Sequence, residues 1–281
     1  MPLNQQTVSR YVTILLIAFV GILMMYPLLW MISSSFKPEE IIFKDKSLWP
    51  AVFTLENYVN GWRGYGGLSF STFYANSFLV VLFVILGNLI TCSMAAYAFA
   101  RLKFALRKLY FAVMLVTIML PYHVVLIPQY TLFFKLGWVD TFLPLIVPKF
   151  LATDAFFIFL MVQFIRGIPH ELDQAATVDG CSVYQIYWRI VLPLAVPALV
   201  TTTIFTFIWT WNDFLSQLIY ISNPKLFTIS LALRGFADAT ANSSYGQLFA
   251  MATVSLLPIF LVFVASQRLL VEGISTSGLK G

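Results

Sequence analysis

Three ionisable residues stand inside otherwise apolar runs: Lys149 and Asp154 in "PKFLATDAF", and Asp213 in "TFIWTWNDFLSQ". A charge in hydrocarbon costs about 3 kcal/mol on insertion scales, so such groups face a cavity, meet a partner or titrate. Pro148 immediately precedes Lys149, which predicts a broken helix whose irregular backbone lines an interior path. A lysine reaching outward to the interface, with the aspartate paired to another chain, is the competing reading. Trp209, Trp211, Asn212 and Asp213 set aromatic faces beside an amide and a carboxylate, the groups that a sugar's C–H faces and hydroxyls require. A tryptophan belt at the membrane interface accounts for the same residues.

Other chemistries have little to work with. His123 and His170 are the two histidines, far apart and without Cys or carboxylate neighbours at ligand spacing, so no metal site is expected. His123 reads as an interfacial side chain. The nearest approach to a phosphate-binding G-x-x-x-x-G-K-[ST] loop is "GISTSGLK", where Leu279 intrudes before Lys280. No catalytic residue, resident cofactor or ATP hydrolysis is expected of this chain. Cys92 and Cys181 are too few and too differently placed for a disulfide framework.

The elements that hold these residues belong to a membrane. Of 281 residues 60% are hydrophobic and 10% charged, and 27 are Phe, values that a soluble domain of this length rarely reaches. Apolar runs bounded by charges predict an all-α membrane protein with six spans: Tyr11 to Ile32, Tyr74 to Ala100, Leu109 to Ile127, Phe142 to Ile165, Leu194 to Ile221 and Leu248 to Gln267. The first run is too long, and lacks the small-residue site, for a cleaved signal peptide. Six crossings put both termini on one side. The segments on that side hold nine Lys and Arg against four Asp and Glu, so the positive-inside rule makes it the cytoplasm. The basic cluster "RLKFALRKLY" lies between two spans, which points to membrane lipid and not to nucleic acid.

With that topology a polar island, "HELDQAATVDGCSVYQIYWRIVLP" from His170, faces the cytoplasm. Pro169 opens a short helix near His170, and Glu171 and Asp173 suit its first turn. Gly180 stops that helix. Ser182 with Gln185 reads as a capping box, starting a second helix that runs towards Val191 before Pro193 and Pro197. The bend presents Ala175, Ala176 and Gly180, small residues that let another backbone come close. It suits either a socket on a second protein or a hairpin packed on its own bundle.

"QAATVDG" at Gln174, nine residues, then "IVLP" ending at Pro193 resembles the EAA signature of binding-protein-dependent ABC importer permeases. "YPLLWMISSSFKP", "LENYVN", "NSFLV", "AAYAFARLKF", "WNDF" and the terminal "GLKG" are similar to the maltose-type second permease of the carbohydrate-uptake group. The resemblance covers about residues 11 to 281 and implies a type I importer permease fold in a bacterial or archaeal cytoplasmic membrane. It implies an N-terminal span and outer loop over 1–73, a five-helix core over 74–270 with a coupling loop at 166–193, and a cytoplasmic tail over 271–281 that reaches towards the ATPases.

The implied partners are a second permease subunit, two ATPase subunits carrying ATP and magnesium, an extracytoplasmic solute-binding protein and a carbohydrate. The outer segment 222–247 corresponds to a loop that reaches the binding protein. Docking on the ATPase would fall to Glu171, Gln174, Ala175, Ala176, Asp179, Gly180 and Pro193. Gln174 replaces the usual glutamate of the triplet, so a salt bridge from that position is not carried over. The solute is open among a disaccharide, an oligosaccharide, a monosaccharide and a sugar-like compound such as a glycerol phosphate. The residues alone also admit a proton-coupled carrier titrating Asp154 or Asp213, or a membrane scaffold.

Overall fold

The computed structural model describes the backbone of residues 5–237 and 244–278 and the side chains of 10–237 and 244–267. The centre of the outer segment, 238–243, and the end of the "GLKG" motif, 279–281, lie outside the described residues. The described residues are helical, broken by turns and 3₁₀ segments, with the single bridge Tyr65–Leu68 in place of any strand among them. In chain order the helices are α1 (Gln5–Ser34), α2 (Glu56–Arg63), α3 (Phe70–Arg101), α4 (Arg107–Ile118), α5 (Tyr122–Lys135), α6 (Leu143–Ile146), α7 (Ala155–Gly167), α8 (Glu171–Val178), α9 (Val183–Ile186), α10 (Leu192–Leu194), α11 (Val196–Trp211), α12 (Leu215–Tyr220), α13 (Ile229–Ala237) and α14 (Tyr245–Gly278).

Among the described residues four helical stretches are long and apolar enough to cross a membrane on their own: Arg10–Ser34, Phe70–Arg101, Leu143–Gly167 and Tyr245–Gln267. Two bent pairs bring the number to six. The expected third span is one of these. Instead of a straight helix from Leu109 to Ile127, α4 and α5 meet at 102°, and α5 runs on to Lys135. Pro121 causes the turn: it is extended, with ψ 129°, and cannot donate to the ladder of α4. The expected fifth span, Leu194 to Ile221, is likewise divided. The helical stretch Val183–Leu194 bends by 74° at Ala195 into α11, which stops at Trp211.

The chain forms two compact units. One comprises the described residues of Met1–Phe70 and Leu233–Leu257. Its α1 is apolar on every side and exposes Leu15, Phe19, Ile22 and Met24, as a helix in lipid does. The loop after α1 is ordered by polar side chains spent on backbone. Lys37 is fully buried and donates to the carbonyls of Asp45 and Ser47, with the Asp45 carboxylate at 3.5 Å. Asn57 in α2 donates to the carbonyls of Ser35 and Lys37. Glu39 accepts from the Tyr245 and Gly246 amides, placing a carboxylate on the N-terminal amides of α14. Hydrogen bonds from Ser47, with the Lys37 charge adding to them, pull the Asp45 carboxyl down from 3.8 to about 2.

The other unit comprises the described residues of Ser71–Ala232 and Pro258–Gly281. Its largest core gathers Cys92, Ala96, Tyr97 and Ala100 of α3, Phe157, Met161, Val162 and Ile165 of α7, Ala176 of α8, and Ile186, Tyr187, Val191 and Ala195 further on. Lipid supplies little hydrophobic drive between helices, so close approach through small residues and a few polar bonds takes its place. The alanines of α3 fill that role. Asn76 donates to the carbonyls of Lys225 and Phe227, and Ser77 accepts from the Ile229 amide, holding the chain around the start of α13 against α3.

Candidate functional site

Two regions of the second unit contain the residues whose chemistry stood out. The first is the hairpin. Helix α8 begins at Glu171 with His170 as its cap and ends before Gly180, whose φ of +81° is the left-handed conformation that favours glycine. Ser182 and Gln185 form the expected capping box, with the Ser182 amide 2.7 Å from the Gln185 side-chain oxygen. The second helix widens into a π turn over Tyr187–Val191 before α10, an irregularity that Pro193 imposes because it has no amide to return.

Glu171, Gln174, Ala175, Asp179, Gly180 and Pro193 are exposed. Ala176 is not: it packs into the core beside α3, so it seats the hairpin and offers no outward surface. The exposed surface mixes the polar Glu171, Gln174 and Asp179 with apolar and aromatic residues, Val178 at 87%, Tyr184 at 72% and Trp188 at 57% exposure. An exposed apolar group of this kind marks a contact surface.

Four contacts fasten the hairpin to α3. Arg101 Nε lies 3.1 Å from Asp173 Oδ2, and Arg101 Nη2 donates to the Ile168 carbonyl at 2.7 Å. Tyr97 donates to the Val183 carbonyl at 3.2 Å, and the Ser93 and Tyr187 hydroxyls are 2.7 Å apart. His170 Nδ1 stands 3.7 Å from the same Asp173 oxygen.

The second region is the broken fourth span. After α6 the chain tightens into a 3₁₀ segment, Val147–Leu151, and Ala152 turns left-handed before α7. Lys149 Nζ reaches Asp154 at 2.8 and 3.0 Å across this break. The charges therefore neutralise each other, an arrangement that neither sequence-based reading contained. Asn88, buried midway along α3, donates to Asp154 Oδ2 at 2.7 Å and lies 3.3 Å from the Thr206 hydroxyl. The Thr91 hydroxyl stands 2.9 Å from both the Lys149 carbonyl and the Gly87 carbonyl of its own helix, which share its one proton. Gly87 permits this approach, since a Cβ there would stand 3.0 Å from the Lys149 carbonyl carbon. Asn88 went unnoticed in the sequence; its signal was a lone amide in the middle of an apolar run.

The "TWND" group does not converge on one place. Trp211 is buried against Tyr74, Phe78 and Phe207, whereas Trp209 is half exposed and packs with Phe156, Phe157 and Phe205. Asn212 donates to the Ile208 carbonyl, and Asp213 accepts from the Ser216 amide. These two side chains end α11 and start α12. Among the described residues no three His, Cys, Asp or Glu gather as metal ligands; His123 is exposed on α5.

Bent spans around an intramembrane ion pair, with a capped hairpin held at one end of α3, define a helical membrane permease. Residues 87–276 match the family model described as binding-protein-dependent transport system inner membrane component, and the chain belongs to that family. It is 34% identical to the "Probable ABC transporter permease protein YurM" of Bacillus subtilis, over 91% of this chain and 84% of that one. It is 30% identical to the "Arabinooligosaccharides transport system permease protein AraQ" of Halalkalibacterium halodurans, over 94% of each. The fold superimposes on a chain from the crystal structure of a bacterial ABC transporter involved in import of the acidic polysaccharide alginate, with a TM-score of 0.84, 21% identity, and coverage of 95% of this chain and 99% of that chain. That likeness is one of fold: a type I importer permease.

Proposed function

We propose that this permease forms half of the path of an ATP-driven importer of a sugar or oligosaccharide, beside a second permease subunit, with ATP hydrolysis performed by two separate ATPase subunits holding ATP and magnesium. The reading is supported above all by the capped hairpin at Gly180, which lies within the matched family region and exposes Val178 and Tyr184 among its polar residues. The arabinooligosaccharide name of one relative supports the solute class. The hairpin docks on the ATPase through Glu171, Gln174, Ala175, Asp179, Gly180 and Pro193, joined by Val178 and Tyr184; it faces the cytoplasm with both termini. The outer segment 222–247 meets a solute-binding protein. Boundaries at 73 and 270 separate the first span and the tail from the five-helix core.

A proton-coupled carrier fits less well, because a carrier acting alone has no use for a docking hairpin and Asp154 is already paired with Lys149. The test is purification from native membranes followed by uptake into vesicles. An importer half brings an ATPase and a second permease with it and needs ATP and a loaded binding protein. Uptake by the isolated chain driven by a proton gradient would remove the proposal. A panel of oligosaccharides against the cognate binding protein then fixes the solute.

A further inference from the structure

Resting on the docking role of the hairpin, the question is how its displacement reaches the membrane interior. The chain itself offers poor routes. On one side the hairpin joins α7 through the extended residue Ile168. On the other it joins α11 through a π turn and the 74° bend at Ala195. At such interruptions the helical hydrogen-bond ladder is broken or distorted, so they are the places where the chain bends most readily.

Helix α3 has no such interruption. From Asn88 to Arg101 it contains neither proline nor glycine, and its α-helical winding is continuous. One end of this stretch holds the hairpin at three points of that structure: the Asp173 carboxylate, the Val183 carbonyl and the Tyr187 hydroxyl. The other end holds the break of the fourth span through Asn88 and Thr91. Asn88 and Arg101, the outermost of these residues, stand thirteen helical rises apart, about 20 Å, whereas Thr91 and Ser93 between them are two residues apart. We propose that α3 is the transmission rod of this permease: Arg101, Tyr97 and Ser93 couple it to the hairpin, and Asn88 and Thr91 couple it to the Lys149–Asp154 break. These five are positioning residues. They deliver the hairpin's movement to the point where the fourth span opens or closes the path.

The proposal is tested in the assembled complex with Asn88→Leu and, as a gentler change, Thr91→Val, which removes one hydroxyl at nearly constant shape. Spin labels are attached at Leu151→Cys, on the break, and Val178→Cys, on the hairpin, in a Cys181→Ser background. With α3 as the rod, the Leu151–Val178 spacing stays constant when ATP is added to the otherwise wild-type complex. In Asn88→Leu the spacing becomes nucleotide-dependent, and solute moved per ATP falls about tenfold, the factor expected for one hydrogen bond to a charged group. Thr91→Val changes both in the same direction and by less. A constant spacing and wild-type stoichiometry in both variants would overturn the proposal. Failure of the Val178 position to cross-link to the ATPase in the otherwise wild-type complex would instead remove the docking role, and this inference with it.

Discussion

Arg101 and Asp173 meet at 3.1 Å, with the guanidinium side chain 2% exposed, so the last turn of α3 and the first turn of α8 share one nearly buried ion pair. The Ile168 carbonyl occupies another face of the same guanidinium. The pair belongs to the hairpin's attachment and leaves its outer surface free. Asp173→Asn strips the guanidinium of its counter-charge, and breaking a buried pair from one side costs about 3 kcal/mol. The expected result is faster amide hydrogen exchange across α8 and a lower melting temperature in detergent. Unchanged exchange in α8 would mean that the pair holds nothing.

At Gly180 a Cβ would meet no atom within 4 Å, so the cost of a side chain is conformational: about 1–2 kcal/mol for a left-handed residue, less for Asn. Gly180→Val is therefore expected to give a permease of near-normal thermal stability that retains little ATPase on purification, and Gly180→Asn one that retains most of it. Equal recovery of ATPase with both variants would count against docking at the bend.

Lys149 and Asp154 depend on each other. Lys149→Met and Asp154→Leu alone each leave one charge in the span, whereas the double variant leaves none. Removing both members together is commonly neutral, or stabilising by about 1–4 kcal/mol, relative to the intact pair, whereas removing one costs about 3–5 kcal/mol. Thermal stability should fall in both single variants and recover in the double one. Because Asp154→Leu also removes the acceptor of Asn88, solute moved per ATP should fall in the double variant as it does in Asn88→Leu, with uptake still independent of any proton gradient.

Asp213→Ala removes the acceptor of the Ser216 amide at the start of α12, a loss of about 1 kcal/mol, typical of a helix cap. Stability should drop by that amount with no change in the solute concentration that half-saturates uptake. A shift greater than about tenfold, equivalent to 1.4 kcal/mol, would return Asp213 to the solute path.

Asp45 offers a pH test. Its folded pKa, about 2, lies below the ordinary 3.8, so its charged form favours the folded loop. That contribution is complete above about pH 4 and disappears as pH falls through 2. Asp45→Asn should lose acid sensitivity in this window alone, measured between pH 2 and 5 by the emission of an environment-sensitive dye attached at Trp49→Cys in a Cys181→Ser background. Identical acid profiles for variant and wild type would exclude the role.

Much of this arrangement was legible from residue order, because local signals govern it. Ser182 and Gln185 cap within one turn, Gly180 takes the left-handed backbone at least cost among its neighbours, and Pro148 beside Lys149 announces the break. The family signature read at Gln174 to Pro193 falls inside the matched region. Features set by distant partners were not legible. Ala176 looks like any small surface residue until the buried cluster that it shares with residues of α3 and α7 is assembled. Asn212 and Asp213 carry sugar-binding chemistry, yet nearby backbone groups claim both first. The bends at Pro121 and Ala195 fell within long apolar runs, where hydropathy is blind to direction.

The widened turn at Tyr187–Val191 also sets a rotational phase. A π turn accommodates about one residue more than an α turn, so the face before it and the face after it are offset by roughly 100° from uninterrupted winding. Tyr184 and Trp188 can thus look away from the bundle while Val191 and Ala195 look into it. A one-residue deletion in this turn would act like a gear slipping a tooth: every other residue would survive, yet one of the two faces would point the wrong way.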